Sequence, residues 1–134
     1  MADNPNDEKT LSILVADDFA EWRGRLRSIL QVQPKWHVVC EVCDGLEAVQ
    51  RTMELLPDIV LLDIGMPVMN GIEAAQRIRQ VSPSSRVIFV TQNGDKDIRT
   101  AALATGAEGY LLKANAAHSL LSAIETAMHD GHKI

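Results

Sequence analysis

The sequence predicts an α/β protein, a doubly wound parallel sheet of five strands with helices on both faces. Five short apolar runs recur along the chain: SILVA at 12–16, HVVCEV at 37–42, IVLL at 59–62, VIFV at 87–90 and GYLL at 109–112. Between them the apolar residues recur at helical spacing. Strands that alternate with helices in this way pair in parallel, through right-handed crossovers.

Each element follows in order. Trp22, Leu26, Ile29 and Leu30 mark one face of a first helix. Glu41 interrupts the second apolar run and predicts an edge strand, whereas the other four runs are unbroken and suit central strands covered on both sides. The second helix is read from Leu46, Val49, Met53 and Leu56, the third from Ile72, Ala75 and Ile78, and the last from Leu120, Leu121, Ile124 and Met128. A fourth, around residues 97–105, is short and rich in alanine. Asp18, Asp44 and Asn70 each stand three residues before a glutamate, Glu21, Glu47 and Glu73, which is the capping-box spacing. Pro34, Pro57 and Pro83 follow the first three helices and Gly106 follows the fourth.

A chain of 134 residues that is 46% hydrophobic and 23% charged suits one globular domain, which buries about two thirds of its unfolded surface. The domain is expected over 11–129, between a loose polar arm at 1–10 and a tail at 130–134. No apolar stretch reaches 18 residues, so no membrane span is expected. The start MADNPNDEKT lacks the basic and apolar regions of a secretion signal, which makes the cytoplasm the expected compartment. The net charge of −5 and the scattered Lys and Arg argue against direct nucleic-acid binding. Cys40 and Cys43 form a CxxC, but on a strand they lie about 10 Å apart, beyond the roughly 7 Å a disulfide spans. Buried free thiols are expected there, since no second ligand pair accompanies them. Of the histidines, 37, 118, 129 and 132, the last two form HDGH, read as an exposed terminus.

In a doubly wound sheet ligands bind beyond the carboxyl ends of the strands. Asp17 and Asp18 follow the first strand, Asp63 the third, Thr91 the fourth and Lys113 the fifth. In the flavodoxin-like strand order 2-1-3-4-5 these residues converge. Two carboxylates about 4 Å apart repel by about 4 kcal/mol at an effective dielectric near 20, so a cation belongs among them. Hard oxygen ligands with open positions suit Mg²⁺. Asp63 is then a candidate nucleophile as well as a ligand, because carboxylates attack phosphorus to form acyl phosphates, and Thr91 and Lys113 are placed to contact the transferred phosphoryl group. Singly each residue has a plainer reading: Asp18 a helix cap, Asp63 a solvated strand end, Lys113 a surface charge, Thr91 a strand terminus. The combination points to chemistry.

The segments ILVADD, IVLLDIGMPVMNG, VIFVTQ and GYLLK, in that order and spacing, resemble the receiver domain of two-component response regulators over about residues 11–128. The resemblance implies that Asp63 is the phosphoacceptor, taking its phosphoryl group from a phosphohistidine on a sensor histidine kinase. It implies Mg²⁺ held by Asp63, Asp18 and the backbone carbonyl of Gly65, with Asp17 acting mainly through water. Lys113 contacts the phosphate, and Thr91 and Tyr110 form a switch pair; Tyr110 alone reads as a core aromatic with its hydroxyl at the surface. Phosphorylation would reshape the face made by the fourth helix, fifth strand and fifth helix, which is also the expected homodimer surface. Such a domain promotes only its own phosphorylation and dephosphorylation and is not otherwise an enzyme. Two departures stand out. Gln92 follows Thr91 where the family usually has a small residue, which puts phosphate lifetime in question. Ala114 follows Lys113 where many members have proline, and GYLLKA resembles the subgroup often fused to a C-terminal helix-turn-helix output domain. The chain is expected to be either a stand-alone receiver or a fragment of a longer regulator. The alternatives are a degenerate receiver serving as a constitutive interaction module, or an aspartyl-phosphate phosphatase or phosphotransferase. Gly65 argues against the latter, because such enzymes commonly place an acid two residues after the nucleophile.

Overall fold

The computed structural model describes residues 10–130. Residues 1–9 of the expected arm and 131–134 of the expected tail, with His132, lie outside the described residues. The elements run β1 (Leu11–Ala16), α1 (Ala20–Leu30), β2 (Trp36–Val42), α2 (Gly45–Leu55), β3 (Ile59–Leu62), α3 (Gly71–Val81), β4 (Arg86–Thr91), α4 (Lys96–Leu103), β5 (Gly109–Leu112), a 3₁₀ turn (Lys113–Asn115) and α5 (Ala116–Asp130). The strands pair in parallel in the order β2-β1-β3-β4-β5, as the apolar runs and the strand-order expectation required.

Two cores explain why the runs in β1, β3 and β4 are unbroken. Ile13, Val15, Ile59, Leu61, Ile88 and Val90 face α1 and α5, where Leu26, Leu30, Leu120 and Ile124 meet them. Leu14, Val60, Leu62, Val87 and Phe89 face the other way, onto Ala48 and Val49 of α2 and Ala74, Ala75 and Ile78 of α3. Alternate residues thus enter opposite cores, and all of them are apolar. β5 departs from the expectation of a central strand. It closes the sheet opposite β2, and all four of its residues are half-buried; helices pack on both of its faces, so an apolar run does not by itself exclude an edge.

Edge strand β2 carries a feature its sequence did not reveal. Ile13 pairs with Val38 and Leu14 with Cys40, so Val39 is an extra residue in the ladder, a bulge. The bulge reverses the faces. Trp36 and Val38 pack on the α1/α5 core, but Cys40 and Val42 pack on the α2/α3 core. Glu41 is thereby turned toward α1, where Arg27 Nε lies 2.7 Å and Arg23 Nε 3.4 Å from its carboxylate. Cys40 is half-buried and Cys43, just past the strand, is exposed; both thiols are free, but the expectation that both are buried fails because β2 ends at Val42.

The stripe read for α2 is also corrected. Leu46, Met53 and Leu56 are exposed, and the buried residues are Gly45, Ala48, Val49 and Thr52. Small side chains line this face because α2 packs closely on the loop before α3. Asp44 and Asn70 cap α2 and α3 through the N–H groups of Glu47 and Glu73, as their spacing required. Asp18 does not cap α1: Phe19 occupies that position without a side-chain cap. Asp95, not singled out in the sequence, caps α4 by accepting from the N–H of Asp97 and Ile98.

The Arg27 hydrogen bond holds the Glu41 carboxyl below its ordinary value of 4.5. A depressed carboxyl stabilises the fold fully above that pH and loses the contribution as acid protonates it below. Glu41→Gln is therefore expected to lower the melting temperature by about 2 to 4 °C at pH 7. The difference from wild type should shrink in high salt and close as pH falls below about 4.5, which thermal melts across pH and ionic strength measure.

Candidate functional site

The carboxyl ends of β1, β3 and β4 and the turn after β5 meet at one edge of the sheet. Lys113 opens the 3₁₀ turn and is 4% exposed. Its Nζ lies 2.8 Å from Asp17 Oδ2 and donates to Asp63 Oδ2 at 3.0 Å. Asp17 and Asp63 are 1% and 7% exposed, so one ammonium bridges two buried acids from neighbouring strands. Asp63 Oδ1 accepts from the N–H of Ile64 at 2.6 Å. Asp17 Oδ1 accepts from the N–H of Phe19 at 2.9 Å. Asp17 Oδ2 has Lys113 as its partner, in a buried ion pair.

Burial raises the Asp17 carboxyl above its ordinary value; Lys113 and the Phe19 N–H pull it back only in part, and the Asp63 charge adds to the rise. Burial alone would lower the Lys113 ammonium, but its contacts with Asp17 and Asp63 outweigh that and hold it above its ordinary value. Lys113 is therefore charged at neutral pH. Asp18 completes the group. It is exposed, and a carboxylate oxygen from each of Asp17, Asp18 and Asp63 falls within 4.8 Å of the others.

Beside these acids is a cleft of about 360 Å³ lined by Phe19, Asp63, Gly65, Thr91, Gln92 and Lys113 among others. Thr91 is the buried last residue of β4, and its Oγ1 accepts from the N–H of Asn93 at 3.3 Å. Gly65 and Gln92 are exposed at the rim. Asp17 and Asp18 stand behind this cleft without lining it, and Tyr110 lies outside it as well. Tyr110 packs on Phe89 and its hydroxyl donates to the Asn93 carbonyl at 2.6 Å; burial raises the phenol, against a lowering from Arg99.

The loop carrying Asp63 is fixed by two glycines and one strained residue. A Cβ at Gly71, the first residue of α3, would overlap the Asp63 carbonyl oxygen and come within 2.9 Å of Ile64 Cα. Instead the Gly71 N–H donates to the Ile64 carbonyl at 2.8 Å. A Cβ at Gly45 would overlap the Met69 carbonyl in the same loop. Between them the Met69 N–H reaches the Pro67 carbonyl at 2.7 Å across Val68, whose φ is +69°, a γ-turn of the rare positive-φ kind. A β-branched residue there is strained. This turn and the Phe19 ring carry no strong sequence signal, and Trp22 reads only as part of the α1 stripe, not as a neighbour of Lys113. Only MPVMNG, with Pro67 and the Asn70–Gly71 pair, marks the loop.

Fold and site together define a flavodoxin-like α/β protein with an acidic, lysine-bridged pocket at the carboxyl edge of its sheet. The response regulator receiver domain family model matches residues 13–125, and the chain belongs to that family. It is 35% identical over 124 residues to the transcriptional regulatory protein DegU of Brevibacillus brevis, covering 92% of this chain and 52% of that protein. It is 36% identical over 123 residues to the nitrate/nitrite response regulator protein NarL of Escherichia coli strain K12, covering 91% and 56%. The chain thus spans about half the length of these curated relatives. The crystal structure of the response regulator domain of Thermotoga maritima CheB matches with a TM-score of 0.84 and 36% identity, covering 90% of this chain and 98% of that one.

Because a side chain at position 71 meets backbone rather than a movable side chain, Gly71→Ala is expected to cost about 2 kcal/mol or more in stability. Gly24→Ala, where the only nearby atom is the end of the Arg27 side chain at 3.8 Å, should match or exceed wild type; paired denaturant titrations make the comparison.

Proposed function

We propose that the domain is a phosphoacceptor switch: Asp63 takes a phosphoryl group from a phosphohistidine of a sensor histidine kinase, and the altered domain surface controls an output or partner. The Lys113 ammonium held between Asp17 and Asp63 at 2.8 and 3.0 Å carries this reading. An acid fixed on a rigid strand, with a positive charge beside it and an open cleft in front, is what attack on phosphorus requires.

One Asp63 oxygen forms an O–P bond as the N–P bond of the donor breaks, and the bonding pair leaves on the imidazole nitrogen. The phosphoryl oxygens carry the charge in this transfer, so the protein's work is positioning and positive charge. Lys113 supplies one such charge, and the Thr91 hydroxyl is in reach as a donor. Against three carboxylates a single ammonium leaves an excess of negative charge; this fits Mg²⁺, held by Asp18, Asp63 and the Gly65 carbonyl with Asp17 behind them through water. The bound ion would neutralise phosphoryl oxygens during transfer. Both oxygens of Asp17 already face protein groups while Asp18 is exposed, which supports giving Asp18 the direct role.

Phosphorylation adds nearly two negative charges at neutral pH. We infer that Thr91 and Tyr110 relay it to the face made by α4, β5 and α5, which also serves a phosphorylation-promoted homodimer. The net charge of −5 with scattered basic residues supports contacts with protein rather than direct binding of nucleic acid by this chain. Among the described residues no helix is long and apolar enough to cross a membrane, in keeping with a cytoplasmic switch. Gln92 at the cleft rim favours one second reading, a constitutive interaction module that does not hold phosphate; a beryllofluoride titration with no change in spectrum or assembly state would select it.

A small phosphodonor with Mg²⁺ is expected to add a single phosphoryl group to the wild-type protein and none to Asp63→Asn, read by intact mass spectrometry. Equal labelling of the two proteins would overturn the assignment of Asp63. Lys113→Met leaves two buried acids without their cation and should lose at least about 2 kcal/mol of stability, the low side of the range because the site borders an open cleft. Added Mg²⁺ should restore part of that loss in a denaturation experiment.

A further inference from the structure

Lys113 is enclosed by more than its two carboxylates. Its Nζ lies 5.0 Å from the centroid of the Trp22 ring and 5.5 Å from that of Phe19. Both separations are within the reach of a cation–π interaction, which strengthens when the cation is desolvated, and this one is almost wholly shielded from water. The rings are fixed by the same acid that Lys113 contacts. Phe19 donates its N–H to Asp17 Oδ1, its carbonyl accepts from the N–H of Trp22 at 3.0 Å, and Arg23 Nη1 donates to the Asp17 carbonyl at 2.7 Å. Phe19 is nevertheless 56% exposed at the mouth of a charged pocket. The Arg25 guanidinium stacks on Trp22 at 5.0 Å and adds a second cation to that ring.

We propose that Trp22, assisted by Phe19, is a positioning residue that acts through Lys113: its ring face holds the ammonium against Asp17 and Asp63 and keeps water off it. The inference rests on Asp63 being the phosphoacceptor. An ammonium has three N–H groups. Two contacts go to carboxylates, and the remaining side would otherwise be hydrated and free to swing into the cleft on its four-carbon arm. A ring face attracts the charge without taking it away from the acids, because it neither accepts a proton nor brings a competing negative charge. The charge then stands at the reacting position before the phosphoryl group arrives, which is where preorganisation speeds a transfer.

The test compares ring-bearing with ring-less apolar substitutions in the full chain. Trp22→Phe and Trp22→Tyr keep a π face; Trp22→Leu and Trp22→Met fill the space without one. With a small phosphodonor and Mg²⁺, the ring-bearing variants should form the Asp63 adduct within about twofold of the wild-type rate, and the ring-less pair about five- to tenfold more slowly. A structural role alone would not sort the variants by ring. An independent readout is the proton shift of the Lys113 ε-methylene. Stacked over a ring it sits upfield, and it should move to the ordinary lysine position in Trp22→Leu but not in Trp22→Phe. Equal rates across all four variants, or an unmoved methylene in Trp22→Leu, would overturn the proposal. A wild-type protein that takes no phosphoryl group at all would instead overturn the reading of Asp63 on which it rests.

Discussion

One ammonium shared by two buried carboxylates organises this molecule. Removing such charges from water costs several kcal/mol each, and their attraction repays this only with good geometry. As a device for stability it is poor, since well-packed apolar residues in the same space serve at least as well. Its effect is positional. Lys113 follows β5, and to reach Asp63 after β3 and Asp17 after β1 its side chain must cross the end of β4. Three strand ends are thereby held in register at the edge where chemistry is possible, while the arrangement stays one positive charge against three acids. A site built for stability would be neutral.

The loop after β3 shows the same preference for position over stability. Gly71 and Gly45 allow backbone to meet backbone on either side of it, and Val68 holds a conformation that its branched side chain disfavours, with 76% of its surface exposed. Strain of this kind persists where the surroundings over-determine the backbone. Here the surroundings are the starts of α2 and α3, capped by Asp44 and Asn70, and what the loop fixes is the direction in which Asp63 leaves its strand.

Legibility in the sequence followed the range of the interactions concerned. Strands β3 and β5 are bounded as IVLL and GYLL, and the caps at Asp44 and Asn70 form, because apolar runs and caps are local signals. The Asp18 cap failed because Asp17 and Phe19, through a hydrogen bond two residues long, set the entry to α1 instead. The α2 stripe failed for a tertiary reason: close approach to the Met69 loop selects Gly45, Ala48 and Thr52 for burial over the larger Leu46 and Met53. The bulge at Val39 exists only in the pairing of β2 with β1, which no single strand encodes. Of the site, Asp17, Asp18, Asp63, Thr91 and Lys113 were legible because strand ends in this topology converge. Phe19 and Trp22 were not, since their value depends on a lysine some ninety residues away in the chain.

What happens at Asp63 has one short route outward. Thr91 Oγ1 accepts from the N–H of Asn93, the Asn93 carbonyl accepts from the Tyr110 hydroxyl, and Asn93 Oδ1 accepts from the N–H of Asp95. Asp95 in turn caps α4. If rotation of the Thr91 side chain carries its hydroxyl oxygen toward a phosphoryl group on Asp63, the Asn93 N–H loses that acceptor, and the residue that holds both Tyr110 and the α4 cap loses an anchor. The helix at the end of this chain is the one least able to resist. α4 has eight residues and buries only Ala102 fully, whereas α3 in the same core buries Gly71, Ala74, Ala75 and Ile78. Segments with few buried apolar contacts move at least cost. A local change of hydrogen-bond partner at the site would therefore emerge as a displacement of α4 and Tyr110, while the two cores on either side of β1, β3 and β4 stay as they are.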